Sequence, residues 1–581
     1  MAHDGKVNAG KLSDLAPGRC HSLRVNGRTL VLVRDGDAVH ALDNRCPHMG
    51  FPLDRGSVDD GILTCHWHHA RFDVTTGGTF DLWADDVPAF PTDVIDGDIW
   101  IDLRADRDEL AHHRRRLRDG LERNLSLVIA KAVIGLLEAG ANPREPFRIG
   151  LEFGVRYLAD GWGQGLTVLT CMMNLLPRLP RDQHARALFH GLSNVASDCA
   201  GAAPRFPAGP LPDAPADSAA LKRWFRRSVE VRDATGAERC LLTAVRAGFE
   251  PEALADMLFA AATDHRYLSS GHVLDFTNKA LEALDVAGWD LAEGVLASLA
   301  RGYANAQRME ESNAWRRPHN LVEILEDSFG EIPDVAAAAD RRAPWADRGT
   351  LIDTVLGDDP DDIAASLTAA LRSGTGPVQL AETVVQAAVT RVARFHVSNE
   401  FGDWDRALHT LSFANAVRCG LMRSPSRELV RGVYDAAMSV YLDRFLNVPP
   451  ARVPSLDGQP PTPGAELLRQ LPDILDRRQR VDDAARVVVE YRAGDGRDDD
   501  LLAAMGGALL REDRNFHTIQ AVEAAMRQFD LATQSEDATM ALVAGARYLA
   551  AHAPTVRAQG QTFQIAQRLH RGEALYEESP D

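Results

Sequence analysis

The sequence predicts a multidomain chain: an all-β domain over residues 1–104, a charged linker over 105–120 and a large all-helical domain over 121–581. Three observations carry this. The first hundred residues hold short β-like runs punctuated by turn dipeptides. A dense run of charge follows. From about residue 121 the apolar residues recur at spacings of three and four.

The β reading rests on RCHSLRVNGRTLVLVRDGDAVHAL, where Asn26-Gly27 and Asp35-Gly36 interrupt two β-like runs. Such dipeptides between apolar alternations are hairpin signals. DVIDGDIWIDL, residues 93–103, repeats the pattern. Residues 106–124, DRDELAHHRRRLRDGLERN, are helix-compatible and so charged that they read as a solvated linker helix. Beyond them, segments such as LSLVIAKAVIGLLEAG, LVRGVYDAAMSVYLDRFL and TIQAVEAAMRQF have helical periodicity. Two Pro-rich stretches, residues 203–217 and 449–464, read as long loops, since proline lacks a donor and blocks helix interiors.

Composition narrows the function. The 581 residues are 45% hydrophobic and 25% charged, an ordinary globular balance. The formal charge of −19 disfavours nucleic acid as a partner. Lysine is rare: Lys6, Lys11, Lys131, Lys222 and Lys279 are the whole set. Seven cysteines suit a reducing compartment, with thiols as ligands or buried fillers and no disulfide framework. The start, MAHDGKVNAG, has no apolar signal region. The most apolar run, Leu125 to Ala139, is broken by Lys131 and too short to span a bilayer. The expectation is a cytoplasmic protein with no membrane segment.

Two short segments carry the clearest chemistry: Cys46-Pro47-His48 and Cys65-His66-Trp67-His68, sixteen residues apart. Two thiolates and two imidazoles can bind zinc. Structural zinc, however, pairs Cys with Cys and His with His in its short motifs, whereas each motif here mixes them. The mixed pattern suits a [2Fe–2S] cluster with two Cys on one iron and two His on the other.

The segment RCPHMGFPLDRGSVDDGILTCHWHHARFDVTTGGTF resembles a Rieske domain, with Arg71-Phe72-Asp73 and the Gly77-Gly78 turn completing the likeness over residues 10–103. The resemblance implies that Cys46 and Cys65 hold a buried iron and that His48 and His68 hold an exposed one. His66 and His69 are neighbours of the ligands and are not carried over. Cys20, Cys171, Cys199, Cys240 and Cys419 read as structural thiols. High-potential members carry an extra Cys in each cluster loop. Neither loop has one here, which implies the ferredoxin or oxygenase type, low in a range of about −150 to +300 mV.

The α/β catalytic domain of familiar Rieske oxygenases, with its two-His-one-carboxylate iron, is not found. The helical region instead repeats His-x-Leu-x-Phe-x-Asn, at His272–Asn278 and His409–Asn415, each preceded by another His, His265 and His396. Phe516-His517-Thr518-Ile519 is a fainter echo. Two such hairpins point four imidazoles, His265, His272, His396 and His409, at one non-haem Fe(II), as helical bundles do elsewhere; the competing reading makes each a core histidine. Lys279 shares the helix face of His272 two turns on, as a salt-bridged or surface lysine or as a carboxylated ligand. With Ala407-Leu408-His409-Thr410-Leu411 the region faintly resembles the questin-oxidase-like family. That resemblance implies an iron-dependent oxygenase of aromatic polyketides.

The expected function is a Rieske-fused, O2-dependent oxygenase whose cluster feeds a His-rich iron acting on a small organic, aromatic substrate. An external NAD(P)H-dependent reductase supplies electrons, because no Gly-x-Gly-x-x-Gly follows a strand. The alternative is a Rieske ferredoxin-type electron carrier with a helical docking scaffold. The sequence assigns no catalytic side chain.

Overall fold

The computed structural model describes residues 6–104, 108–213, 217–333, 345, 347–455, 462–494, 496–573 and 575. The chain divides into two compact units, residues 1–149 with 559–581, and residues 150–558.

The described residues of the first unit form ten strands: β1 (Lys6–Lys11), β2 (Cys20–Val25), β3 (Arg28–Asp35), β4 (Ala38–Asp43), β5 (Ser57–Asp59), β6 (Ile62–Thr64), β7 (Arg71–Asp73), β8 (Ala89–Phe90), β9 (Thr92–Ile95) and β10 (Asp98–Asp102). They form three antiparallel sheets in the orders β1-β10-β9, β2-β3-β4-β8 and β5-β6-β7. Asn26-Gly27 and Asp96-Gly97, left-handed at both positions, close the β2–β3 and β9–β10 hairpins, as two-residue turns require. Successive side chains of a strand point to opposite faces, so β3 supplies two cores. Leu30 and Leu32 pack with Phe90, Ile99 and Ile101. Val31 and Val33 pack with Cys46, Leu63, Cys65 and Phe72. The second core is the one that positions the cysteines.

The residues expected to form a solvated linker behave differently. They form the helix Glu109–Glu122, with the Asp108 carboxylate accepting from the Ala111 N–H at its start. One face is buried: His112 and Arg116 are each 3% exposed. The Arg116 guanidinium donates to the carbonyls of Leu82 (3.0 Å) and Ala84, and it faces Asp85 and Asp119. Charge on a helix signals a wet face only where no backbone acceptors approach it; here the loop after β7 supplies them. With the apolar helix Ser126–Glu138 this element belongs to the same compact unit as the β sheets, which runs to residue 149. The last helix, Ala558–His570, falls almost wholly in the same unit.

The second unit is helical throughout its described residues apart from turns and loops. Three of its helices matter below: His272–Ala287, Phe401–Arg423 and Phe516–Leu531. The first and third both pack against Gln164–Leu175 and against Phe401–Arg423. The described parts of the Pro-rich stretches have no regular structure up to residue 463, and a helix begins at Gly464; residues 214–216 and 456–461 lie outside the described residues. Among the described residues no helix is long and apolar enough to cross a membrane.

Candidate metal centres

Two loops of the first unit meet. One joins β4 to β5 and carries Cys46 and His48; the other joins β6 to β7 and carries Cys65 and His68. Their backbones are alike. The N–H of Cys46 donates to Phe51 O (2.8 Å) and that of Gly50 returns to Cys46 O (2.8 Å). Likewise Cys65 N–H donates to Ala70 O (2.9 Å) and His69 N–H to Cys65 O (3.0 Å). The fourth residue after each cysteine is left-handed, Gly50 at φ 85° and His69 at φ 62°. His69 is thus a turn residue. His66 is exposed and bonds the Ser57 hydroxyl at 3.0 Å. Neither takes a ligand's place.

Both cysteines are enclosed, at 2% and 1% exposure, and their sulfurs face each other. The rings of His48 and His68 stand edge to face at 4.8 Å, the first half-buried and the second exposed. The Rieske [2Fe-2S] domain model matches residues 5–91. Over 71 residues, 12% of this chain, the sequence is 31% identical to the ferredoxin component of the naphthalene 1,2-dioxygenase/salicylate 5-hydroxylase systems of Ralstonia sp, covering 68% of that protein. The chain belongs to the Rieske [2Fe–2S] domain family. Other similar proteins share the domain within different chains. Apoptosis-inducing factor 3 of Mus musculus is 35% identical over 71 residues, 12% of each chain. The vanillate O-demethylase oxygenase subunit of a Pseudomonas species is 41% identical over 66 residues, 11% of this chain and 20% of that one. The chain therefore spans only about an eighth and a fifth of those two relatives.

The residues fit the Rieske cluster. The four side chains supply two sulfurs on the buried side and two imidazoles on the outer side. The Nδ1 of His48 is enclosed without a hydrogen-bond partner. Burial, with Lys131 and His68 adding to it, pushes the His48 imidazole down to about 4, so it stays neutral with a lone pair to give. Backbone N–H groups of His48 and Met49 face the Cys46 sulfur, and those of Trp67 and His68 face Cys65. Donors toward sulfur stabilise an electron-rich cluster. All seven cysteines are free thiols, so no bridge joins the two loops. Gly77 closes the far turn: at φ 72°, a Cβ there would lie 1.9 Å from Val87 O.

A second candidate centre lies in the helical unit. The metal-binding atoms of His272, His409 and His517 all fall within 4.8 Å of one another. His409 Nε2 and His517 Nε2 are 3.0 Å apart. The His272 ring lies 4.6 Å from that of His409 and 6.0 Å from that of His517, nearly parallel to the latter. The Nδ1 of His272 is enclosed with no hydrogen-bond partner. Burial, then the neighbouring imidazoles, push His272 down to about 3; burial and His517 push His409 down to about 4. Both imidazoles stay neutral, each with a lone pair to give. His517 Nδ1 faces the Asp405 carboxylate at 3.3 Å, and the Tyr548 hydroxyl donates to the same group. Burial alone would raise the Asp405 carboxyl; hydrogen bonds led by that of His517 hold it well below the usual range. A carboxylate behind an imidazole sets its tautomer and orientation in metal sites.

Local chemistry explains each placement. His272 opens its helix after a turn in which Tyr267, Ser269 and Ser270 are all left-handed without being glycine (φ 48°, 49° and 56°). Such strain persists only where the surroundings hold it, and it clusters at functional sites. Ser269 is held by Gln307 through both its backbone N–H (2.8 Å) and its hydroxyl (3.1 Å). Gly271 must be glycine, at φ 90° with Phe413 2.9 Å from where a Cβ would sit. His517 follows Asn515, whose side chain caps the Thr518 N–H. Beside His409 opens a cavity of about 400 Å³, lined by Tyr267, Trp315, Leu442, Asp405, Arg406 and Asp443 among others.

Two of the four expected histidines do not join this centre. His265 is clamped by carboxylates, Glu310 on Nδ1 and Glu230 on Nε2, both at 2.7 Å. His396 turns to the Ser398 hydroxyl at 2.8 Å. In both copies of the repeat the first histidine falls in the loop between helices, where side chains answer to local partners. The third member is His517, the faint echo. Lys279 is neither a surface residue nor beside a free site: 1% exposed, it donates to Glu523 (2.7 Å) and Glu282 (2.9 Å). Asp405 carried no sequence signal beyond lying four residues, one helical turn, before His409. A further group, Asp85, Asp86 and His112, is an ion-pair network, since Arg116 and Arg115 face the two carboxylates.

Proposed function

We propose that the protein is a Rieske-fused, O2-dependent oxygenase in which the cluster on Cys46, Cys65, His48 and His68 passes electrons to a non-haem Fe(II) on His272, His409 and His517. The observation that carries this reading is the convergence of three imidazoles from three helices, one with an enclosed, unpartnered nitrogen. Imidazole suits iron, and such an iron, when bound, supplies O2 activation. The protein's part is positional. Asp405 orients His517. The strained turn fixes His272. The cavity beside His409 takes a small organic substrate against Tyr267, Trp315 and Leu442, and its aromatic walls favour an aromatic one. An external NAD(P)H-dependent reductase supplies the electrons, and the free thiols suit a cytoplasmic setting. The domain's likeness to a dioxygenase ferredoxin component and to an oxygenase subunit supports this assignment.

Metal analysis tests it. The full chain is expected to hold three irons, and His272→Ala with His409→Ala to remove one, abolish O2 turnover and leave the cluster spectrum and its reduction intact. Two irons in the native chain, both in the cluster, would instead make the helical unit a docking scaffold.

A further inference from the structure

Lys131 is out of place by composition. It is one of five lysines, and it sits in the helix Ser126–Glu138 among buried Val128, Ile129, Ala130, Ala132 and Val133. A charged group in such a helix needs a partner to face. Its ammonium reaches the first cluster loop and donates to Pro47 O and, at 2.8 Å, to His48 O. Those two carbonyls lie between the ligand Cys46 and the ligand His48 inclusive. The contact joins residues 83 positions apart and originates outside the strands of the Rieske domain.

The surroundings carry both signs. Asp85 and the Cys46 sulfur favour the lysine's charge, and Arg116 and Arg45 oppose it. Arg45, on the same loop, donates to the carbonyls of Leu569 (2.7 Å) and Glu573 (2.6 Å) at the chain's last helix. The first loop is therefore held by cationic side chains that meet backbone oxygens. A cluster with two thiolates and two neutral imidazoles is neutral when oxidised and carries one negative charge once an electron is added. A fixed cation in a poorly solvated place favours the second state over the first, because Coulomb energies there are weakly screened.

We infer that Lys131 is a positioning and potential-setting residue for the cluster, its ammonium holding the first loop by two carbonyls and raising the reduction potential through its charge. The inference does not depend on the iron proposed for the helical unit.

The test is a redox titration of the full-length holoprotein with dithionite as the one-electron donor, followed by EPR. Lys131→Gln keeps a donor and removes the charge; Lys131→Arg keeps both. The reduction equilibrium constant of Lys131→Gln is expected to fall about tenfold, which is 59 mV more negative for one electron, with two cluster irons and native g values. Lys131→Arg is expected to stay within threefold of native. An unchanged potential in Lys131→Gln overturns the inference, as does an equal shift in both variants, which would mark packing and not charge. Should Lys131→Gln fail to hold the cluster, Lys131→Met is read the same way. Loss of the cluster in both neutral variants would reduce Lys131 to a purely structural role and overturn the electrostatic one.

Discussion

The cluster site and the three-histidine site recruit their side chains over very different lengths of chain. Each cluster loop delivers one cysteine and one histidine from within a few residues, and the two loops repeat the same backbone hydrogen bonds. The helical site takes one histidine from each of three helices, and His409 and His517 alone are 108 residues apart. The two sites also differ in the charge beside them. At the first cluster loop the half-buried Lys131 meets backbone carbonyls. Two turns beyond His272 the buried Lys279 meets the carboxylates of Glu523 and Glu282. Local motifs thus build a site whose geometry the turns dictate. Helix packing builds one whose geometry depends on the whole unit, so it is the more vulnerable to substitutions elsewhere.

The largest expected effect breaks one site and leaves the other. Cys65→Ser removes the thiolate proposed to hold the buried iron, so both cluster irons, the visible colour and the EPR signal of mean g near ~1.9 are expected to vanish. The iron proposed for the helical unit is expected to stay. His517→Ala is expected to do the reverse, and His265→Ala to do neither. Iron content per chain with EPR reads all three, and co-loss of both centres in either variant would erase the distinction between local and packed sites.

Next in size is Lys279→Met. It leaves Glu523 and Glu282 buried without their cation, and unpaired buried charge of this kind costs about 3–5 kcal/mol. The denaturation midpoint of the helical unit is expected to fall accordingly while iron content holds at the native level. Loss of one iron without loss of stability would instead make Lys279 a ligand.

The smallest effect concerns Asp275, one turn beyond His272. Burial pushes its carboxyl up to about 7, against opposing help from Lys279 and a hydrogen bond from Gln520. The unfolded value is about 3.9. Between these two pH values the native state binds more protons than the unfolded one, so stability falls as pH rises through that window. Asp275→Asn is expected to flatten that slope between about pH 4 and 7 in urea titrations. An unaltered slope would place the titration on another group.

Much of the cluster site was legible because its information is local. Cys46, His48, Cys65 and His68 sit in two motifs of three and four residues, and a turn's hydrogen bonds close within five. The helical site was half legible. The repeat singled out His272 and His409, since an identical pattern of apolar residues turns the same face of each helix inward. It also singled out His265 and His396, which the structure gives to Glu310, Glu230 and Ser398. Loop residues before a helix have no periodicity to constrain them, so repetition there says little about direction.

By itself the sequence determined the class of each region: hairpins where Asn-Gly and Asp-Gly break β-like runs, helices where apolar residues recur at three and four, and a cluster where Cys and His alternate in two short motifs. Only the tertiary structure decided which distant side chains meet. It turned a charged helix from linker into part of the first unit, because carbonyls of Leu82 and Ala84 were there to receive Arg116. It set Lys131 against the cluster loop and His517 beside His409. The physical reason is the same in each case. Backbone conformation answers to neighbours in sequence, whereas the partner of a buried polar group is whatever packing brings within hydrogen-bonding distance.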